Sequence, residues 1–190
     1  MVKKLNIILD LDQTLICSEE LKGFKPDSGK MKLFHHEKMD NSYITFARPH
    51  LQEFLDFLFK NFRVSIWTAA SKSYALFIIN KFIKKPGRNI DFVFFSYHCD
   101  LSTSSGRGLK GLDMLWDMFK LQGYSKDNTI IIDDNYDVKK IQVCNCYHIK
   151  PFNYLKKGSE HDVALLDLMA GLKSLKAEDL KTRCVVKRIK

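Results

Sequence analysis

The sequence contains no apolar run approaching the roughly 20 residues that span a bilayer, so no membrane association is expected. It has no internal repeat of the kind that builds solenoids. Its basic residues are dispersed and form no compact basic-aromatic stripe, which argues against stable nucleic-acid binding. Five cysteines, at 17, 99, 144, 146 and 184, are odd in number and unevenly spaced. That pattern excludes a paired disulfide framework and points to free thiols in a reducing, intracellular compartment, cytoplasm or nucleus. Cys144, Cys146 and His148 match no zinc spacing and are better explained by a strand alternating its faces. Residues 1–4 lead straight into a strand-like segment, which leaves no room for a signal peptide.

What the chain does have is ordinary globular composition: 190 residues, 45% apolar and 28% charged. A chain of this size suits one domain burying about 70% of its unfolded surface. With 31 basic and 22 acidic residues the net charge is +9. Such a surface serves solubility and equally attracts phosphorylated or otherwise acidic partners.

Apolar runs alternate with helix-period segments. Residues 5–11 (LNIILDL) are nearly all apolar, as in a strand buried on both faces. Pro49 opens a helix with Leu51, Phe54, Leu55, Leu58 and Phe59 on one face. Residues 62–68 (FRVSIWT) form a second strand, and Ser71 is the N-cap of a helix carrying Ala75, Ile78, Ile79 and Phe82. A third strand is expected at 90–95 (IDFVFF), then a helix marked by Leu112, Leu115, Trp116 and Phe119 and stopped near Gly123. Strands at 129–133 (TIIID) and 146–149 (CYHI) follow, and Ser159 is placed to cap a helix ending near Leu172. This order predicts an α/β, Rossmann-like parallel sheet flanked by helices. Two stretches break the rhythm: 17–47, a small flap or hairpin inserted after strand 1, and 100–108, a loop of small polar residues. The expectation is one domain over 1–190, with its core at about 5–172 and a basic tail at 174–190. The aromatics Trp67, Trp116 and Phe119 are expected in the core, and His35, His36, His98 and His161 on the surface or in loops.

Ligands of parallel α/β sheets sit beyond the carboxyl ends of the strands. Here those ends deliver Asp10, Asp12 and Thr14 after the first strand, Thr68 after the second, and Asp133 and Asp134 after the fourth, while Lys110 lies just ahead of a helix. Two aspartates flanking a single leucine raise a physical question, because like charges about 4 Å apart repel by roughly 4 kcal/mol at an effective dielectric of 20. Four carboxylates on one sheet edge call for a cation, and an all-oxygen site suits Mg²⁺. Lys110 near a helix start runs against the helix dipole unless an anion binds there. A carboxylate, a divalent metal, a lysine and a hydroxyl are the parts of phosphoryl transfer through an aspartyl-phosphate. Asp10 would attack phosphorus, Thr68 and Lys110 would hold the phosphoryl oxygens, and Asp12 would protonate the leaving oxygen and then activate water.

The quoted segments also resemble a family. Asp10-Leu-Asp12-Gln-Thr14 is similar to the first motif of haloacid-dehalogenase-superfamily phosphatases, and the closer likeness is to the branch of small RNA polymerase II C-terminal-domain (CTD) phosphatases, the NLI-interacting-factor-like branch. The segments ARPHLQEFL (47–55), IWTAASKSYA (66–75), Lys110-Gly-Leu, IIIDDN (130–135) and NCYHIKPF (145–152), followed by Asp162 and Leu165, resemble its successive motifs in order. The resemblance implies a Mg²⁺-dependent phosphoserine/phosphothreonine phosphatase with Asp10, Asp12, Thr68 and Lys110 as catalytic residues and Asp10, Asp12, Asp133 and Asp134 at the metal. It implies a phosphorylated protein or peptide as partner, the RNA polymerase II CTD being one candidate, and a monomeric chain. The sequence departs from the branch in two places. Asp134 stands where the family has a metal-binding Asn, and FVFFSYHCD (92–100) lacks the arginines common there. The basic charge permits a second reading, the same chemistry on a nucleotide, a nucleic-acid end or a small phosphate ester. A third, a binding module without catalysis, is opposed by the filled catalytic positions.

Overall fold

The computed structural model describes residues 5–25, 27–102, 108–175 and 180. Five parallel strands form the main sheet: β1 (Asn6–Leu9), β5 (Arg63–Trp67), β6 (Ile90–Phe94), β7 (Thr129–Asp133) and β8 (Cys146–His148). Their spatial order is β6-β5-β1-β7-β8. Three further strands, β2 (Ile16–Glu20), β3 (His36–Met39) and β4 (Tyr43–Ala47), make a separate antiparallel sheet in the order β2-β4-β3. The flap expected after the first strand is thus a small sheet, with the single helical turn α1 (Ser28–Met31) between β2 and β3.

After Asn6, β1 is apolar because it is the central strand and is covered on both faces. Ile7 and Leu9 point into one core with Val64, Ile66, Ile130 and Ile132, while Ile8 and Ile131 point into another with Trp67, Leu112, Leu115 and Tyr124. On the first face lie α2 (Leu51–Asn61), burying Leu51, Phe54, Leu55 and Leu58, and α6 (Ala164–Lys173), burying Leu165, Leu168, Met169 and Leu172. Leu180 is buried in this same core, past the expected end at Leu172. The remaining helices are α3 (Lys72–Ile78), α4 (Ser96–Asp100) and α5 (Tyr136–Ile141).

Ser71 caps α3, its Oγ accepting from the Tyr74 amide at 3.5 Å. Ser159 does not cap a helix. Its hydroxyl donates to the Tyr154 carbonyl at 2.6 Å inside a short 3₁₀ turn, and α6 starts only at Ala164. The helix expected around Leu112–Phe119 is one wide π-helical turn, Met114–Met118. Trp67 is fully buried, whereas Phe119 is 38% exposed. His98 is buried rather than on the surface, stacked on the Phe94 ring with centroids 4.0 Å apart. Cys17, Cys99 and Cys146 carry free thiols. Cys144 is disulfide-bonded, which corrects the expectation of five free thiols. Most of the polar 100–108 loop and of the basic tail lies outside the described residues. Among the described residues no helix is long and apolar enough to cross a membrane.

Candidate active site

The strand order puts the chemistry together. β5, β1 and β7 are neighbours, and the residues following or ending them are Thr68, Asp10 and Asp133. Asp10 continues the ladder past β1, its amide donating to the Ile132 carbonyl at 3.0 Å. Adjacent strands lie about 4.8 Å apart, so groups at their ends meet without any long reach.

Asp10, Asp133 and Lys110 are all buried. The Lys110 ammonium donates to Asp10 Oδ1 and to Asp133 Oδ2, the latter at 2.8 Å. Burial opposes its charge, yet the two carboxylates outweigh that and raise its pKa above the ordinary lysine value. The lysine is held from behind: Gln142 donates to the Lys110 carbonyl at 2.8 Å and accepts from the Leu112 amide at 3.0 Å. Ser102 Oγ accepts from the Gly111 amide at 3.2 Å.

Asp133 also accepts from the Asn135 amide at 2.8 Å. Burial, and then the charge of Asp10, push its pKa up to about 7. The same two causes in the same order raise that of the half-buried Asp134. One oxygen from each of Asp10, Asp133 and Asp134 lies within 4.8 Å of the others. Three carboxylate oxygens converging on one another are the donor set of a hard divalent cation, and the residues present therefore fit Mg²⁺. The Thr14 hydroxyl lies 3.2 Å from both Asp10 Oδ2 and Asp134 Oδ1. With one proton it can donate to only one of them at a time.

Asp12 stands apart from this cluster. Its Oδ1 accepts from the Tyr74 hydroxyl at 2.5 Å. Burial first, opposed by that hydrogen bond and reinforced by Asp10, brings its pKa up to about 6. The structure thus brings Asp10, Lys110, Asp133 and Asp134 together, with Asp12 beside them under a different partner. Thr68, fully buried at the neighbouring strand end, accepts from the Ala70 amide at 3.1 Å, which fixes its hydroxyl oxygen.

Two residues with structural roles in the site did not stand out in the sequence. Arg48 is 1% exposed. It makes a two-point ion pair with Asp162 at 2.9 and 3.0 Å and donates to the carbonyls of Thr14 at 3.0 Å and Lys150 at 2.9 Å. It ties the loop after β1, in which Gln13 has φ of 57°, to the segment following β8. The only signal was an Arg-Pro pair beside an apolar helix. The second residue is Tyr74, visible only as the family-like Tyr-Ala pair.

The site is thus a five-stranded parallel α/β sheet with three converging carboxylates at its carboxyl edge. Residues 5–182 match the NLI interacting factor-like phosphatases, and the chain belongs to that family. It is 48% identical over 172 residues to protein 355R of Invertebrate iridescent virus 6, described as CTD phosphatase-like, covering 86% of this chain and 94% of that one. The 355R protein of Invertebrate iridescent virus 3 is 41% identical over 184 residues, covering 92% and 98%. Among solved structures, the fission yeast RNA polymerase II CTD phosphatase Fcp1 superposes with a TM-score of 0.57 at 18% identity, over 98% of this chain and 54% of that one. The chain thus spans about half the length of the Fcp1 structure, and that likeness establishes the fold.

Proposed function

We propose that this protein is a Mg²⁺-dependent phosphoserine/phosphothreonine phosphatase that works through an aspartyl-phosphate on Asp10. The observation that supports this best is the division of labour between two neighbouring carboxylates. Asp10 lies against Lys110 and Thr14 and beside Asp133 and Asp134. Asp12, with its pKa near 6, is able to hold and release a proton near neutral pH.

In the first half-reaction an Asp10 carboxylate oxygen bonds to phosphorus as the ester bond breaks, and the leaving oxygen takes the proton of Asp12. In the second, Asp12 takes a proton from water as the water oxygen bonds to phosphorus. The Asp10–phosphorus bond breaks, inorganic phosphate leaves, and both aspartates are restored. Lys110 and the Thr68 hydroxyl balance charge on the phosphoryl oxygens. Asp10, Asp133 and Asp134 would hold Mg²⁺, which offsets repulsion between carboxylate and phosphate when bound. This arrangement also accounts for the two aspartates around Leu11. One serves phosphorus, the other the leaving group, and they hydrogen-bond to different partners. The single domain over 1–190 and the phosphorylated protein partner, with the RNA polymerase II CTD as candidate, belong to the same proposal.

The test is turnover of an aryl phosphate with and without Mg²⁺, followed by a panel of phosphopeptides and mononucleotides. The expected result is Mg²⁺-dependent turnover with the highest kcat/KM on phosphoserine or phosphothreonine peptides. Full activity in excess chelator overturns the metal site, and a tenfold or greater preference for mononucleotides replaces the protein substrate by the second reading.

A further inference from the structure

Tyr74 sits at a junction that neither the phosphoryl group nor the metal explains. It is 8% exposed, its ring meets Tyr43 edge-on at 5.4 Å, and its amide is fixed by the Ser71 cap. Its hydroxyl lies 2.5 Å from Asp12 Oδ1 and 2.5 Å from Ser18 Oγ. Ser18 Oγ is in turn 2.7 Å from Thr45 Oγ1, across the β2–β4 pairing in which Ser18 faces Thr45.

A phenol has one proton to give. When Asp12 is ionised its Oδ1 can only accept that proton, which is the direction of the observed contact. The Ser18 hydroxyl must then donate to the phenol oxygen, and the Thr45 hydroxyl to Ser18. The four groups form a directed chain, Thr45 to Ser18 to Tyr74 to Asp12, with one proton per link.

We propose that Tyr74 is a positioning residue for Asp12: by occupying Oδ1 it leaves Oδ2 as the oxygen that carries the transferable proton, and Ser18 and Thr45 of the small sheet hold the phenol in place. The inference deepens the reading of Asp12 as general acid and base, and rests on it. An unpinned carboxyl can turn about its terminal torsion and exchange its two oxygens. A pinned one presents the same oxygen to the leaving group at every turnover, which is the geometric requirement for efficient proton transfer. The antiparallel sheet then contributes to the chemistry through the hydrogen bonds of Ser18 and Thr45.

The experiment uses the leaving group as the reporter. A nitrophenolate departs as the anion and needs no proton, whereas a serine alkoxide does. Tyr74→Phe keeps the ring and removes the hydroxyl. Its kcat/KM should fall about ten- to a hundredfold on a phosphoserine peptide and less than about threefold on p-nitrophenyl phosphate, the peptide loss staying below the 10²–10⁴ that a positioned acid contributes in full. Ser18→Ala, which leaves the phenol in place, should show a smaller loss of the same kind. In an Asp12→Asn background, Tyr74→Phe should cost nothing further on the peptide, because its effect passes through the missing acid. An even loss on both substrates, or a loss that adds to that of Asp12→Asn, overturns the proposal. Asp12→Asn alone distinguishes this from failure of the underlying reading. If its loss is no greater for the peptide than for the aryl ester, Asp12 is not the general acid and the proposal falls with that reading. If its loss is selective while that of Tyr74→Phe is even, only the positioning role falls.

Discussion

The two ends of the parallel sheet are closed by opposite kinds of polar group. At the amino end the closure is neutral. Asn6, which opens β1 and is 1% exposed, donates to the Gly123 carbonyl at 2.9 Å and to Asn128 Oδ1 at 3.1 Å. Asn128 donates to the same carbonyl at 2.9 Å, and Asn145 donates to the carbonyls of Lys126 at 2.6 Å and Thr129 at 2.8 Å. These are amides whose donors and acceptors satisfy one another, at no cost in buried charge. At the carboxyl end, Asp10 and Asp133 are buried around one lysine, with Asp12 and Asp134 close by. Burial raises the pKa of Asp12, Asp133 and Asp134. One end is built for stability. The other keeps its charges crowded, and crowding is tolerable only where a ligand relieves it.

The largest expected effect comes from making the carboxyl end resemble the amino end. Asp10→Asn replaces the nucleophile by an amide of nearly the same shape. Turnover should fall by several decades, as loss of a nucleophile usually does. Lys110 keeps Asp133 as a partner, so the thermal midpoint should hold or rise. Assays on an aryl phosphate beside a melting curve measure both, and activity above about 1% of wild type excludes Asp10 as nucleophile.

The mirror-image change, Asn6→Asp, should do the reverse. It removes a donor and sets a carboxylate against the Gly123 carbonyl and Asn128 Oδ1. The expected cost is about 3 kcal/mol, or roughly 10 °C in Tm for a chain of this length. Turnover per folded molecule should be unchanged. A Tm within about 2 °C of wild type would show that the amide web is not what closes this end.

Asp134→Ala tests the crowding itself. It removes one of the three converging oxygens and an acceptor of the Thr14 hydroxyl, while Asp10 and Asp133 remain. The Mg²⁺ concentration for half-maximal activity should rise about tenfold or more, with activity largely recovered at saturation; loss of a hard oxygen ligand weakens affinity first. Ca²⁺ should substitute poorly, since it takes more ligands at longer distances. An unchanged Mg²⁺ requirement would remove Asp134 from the site.

The carboxyl end was legible in the sequence and the amino end was not, and the cause is physical. Apolar runs ending in aspartate announce both a buried strand and an unusual charge, so Asp10 and Asp133 could be placed on one edge from local pattern alone. Asn6 reads as an unremarked residue at a strand start. Its partners lie 117 to 123 positions away, and only the fold brings them near. The five parallel strands were visible because they are apolar. The small sheet was visible only as a flap because β2 and β3 are largely half-exposed and show little alternation. Arg48 and Tyr74 were hidden for the amino end's reason: Asp162 and Asp12 lie 114 and 62 positions from them.

The smallest effect sharpens the comparison at His98. It stands near the carboxyl end, just after β6, yet it is wired like the amino end. Its Nδ1 accepts from the Phe95 amide at 2.9 Å, which requires that nitrogen to be unprotonated. Burial lowers its pKa below the ordinary value of 6.5. Below 6.5 the unfolded chain therefore binds more protons at this site than the folded one, and stability falls as pH drops through the lowered folded value. Asp12 and Asp133 act in the opposite sense over the same range. Their folded pKa values of about 6 and about 7 lie above the ordinary 3.8, so the folded state holds more protons there and gains stability as pH falls. The wild-type curve mixes both signs, and the difference from a variant isolates His98. Glutamine can accept from the Phe95 amide without titrating, so His98→Gln should match the wild type near pH 7.5 and lose less on going to about pH 5.5, by about 2–4 °C in Tm. Parallel melting curves for the two proteins across that range would show a histidine that titrates alike in both states, and the neutral wiring of His98 would then have no energetic consequence.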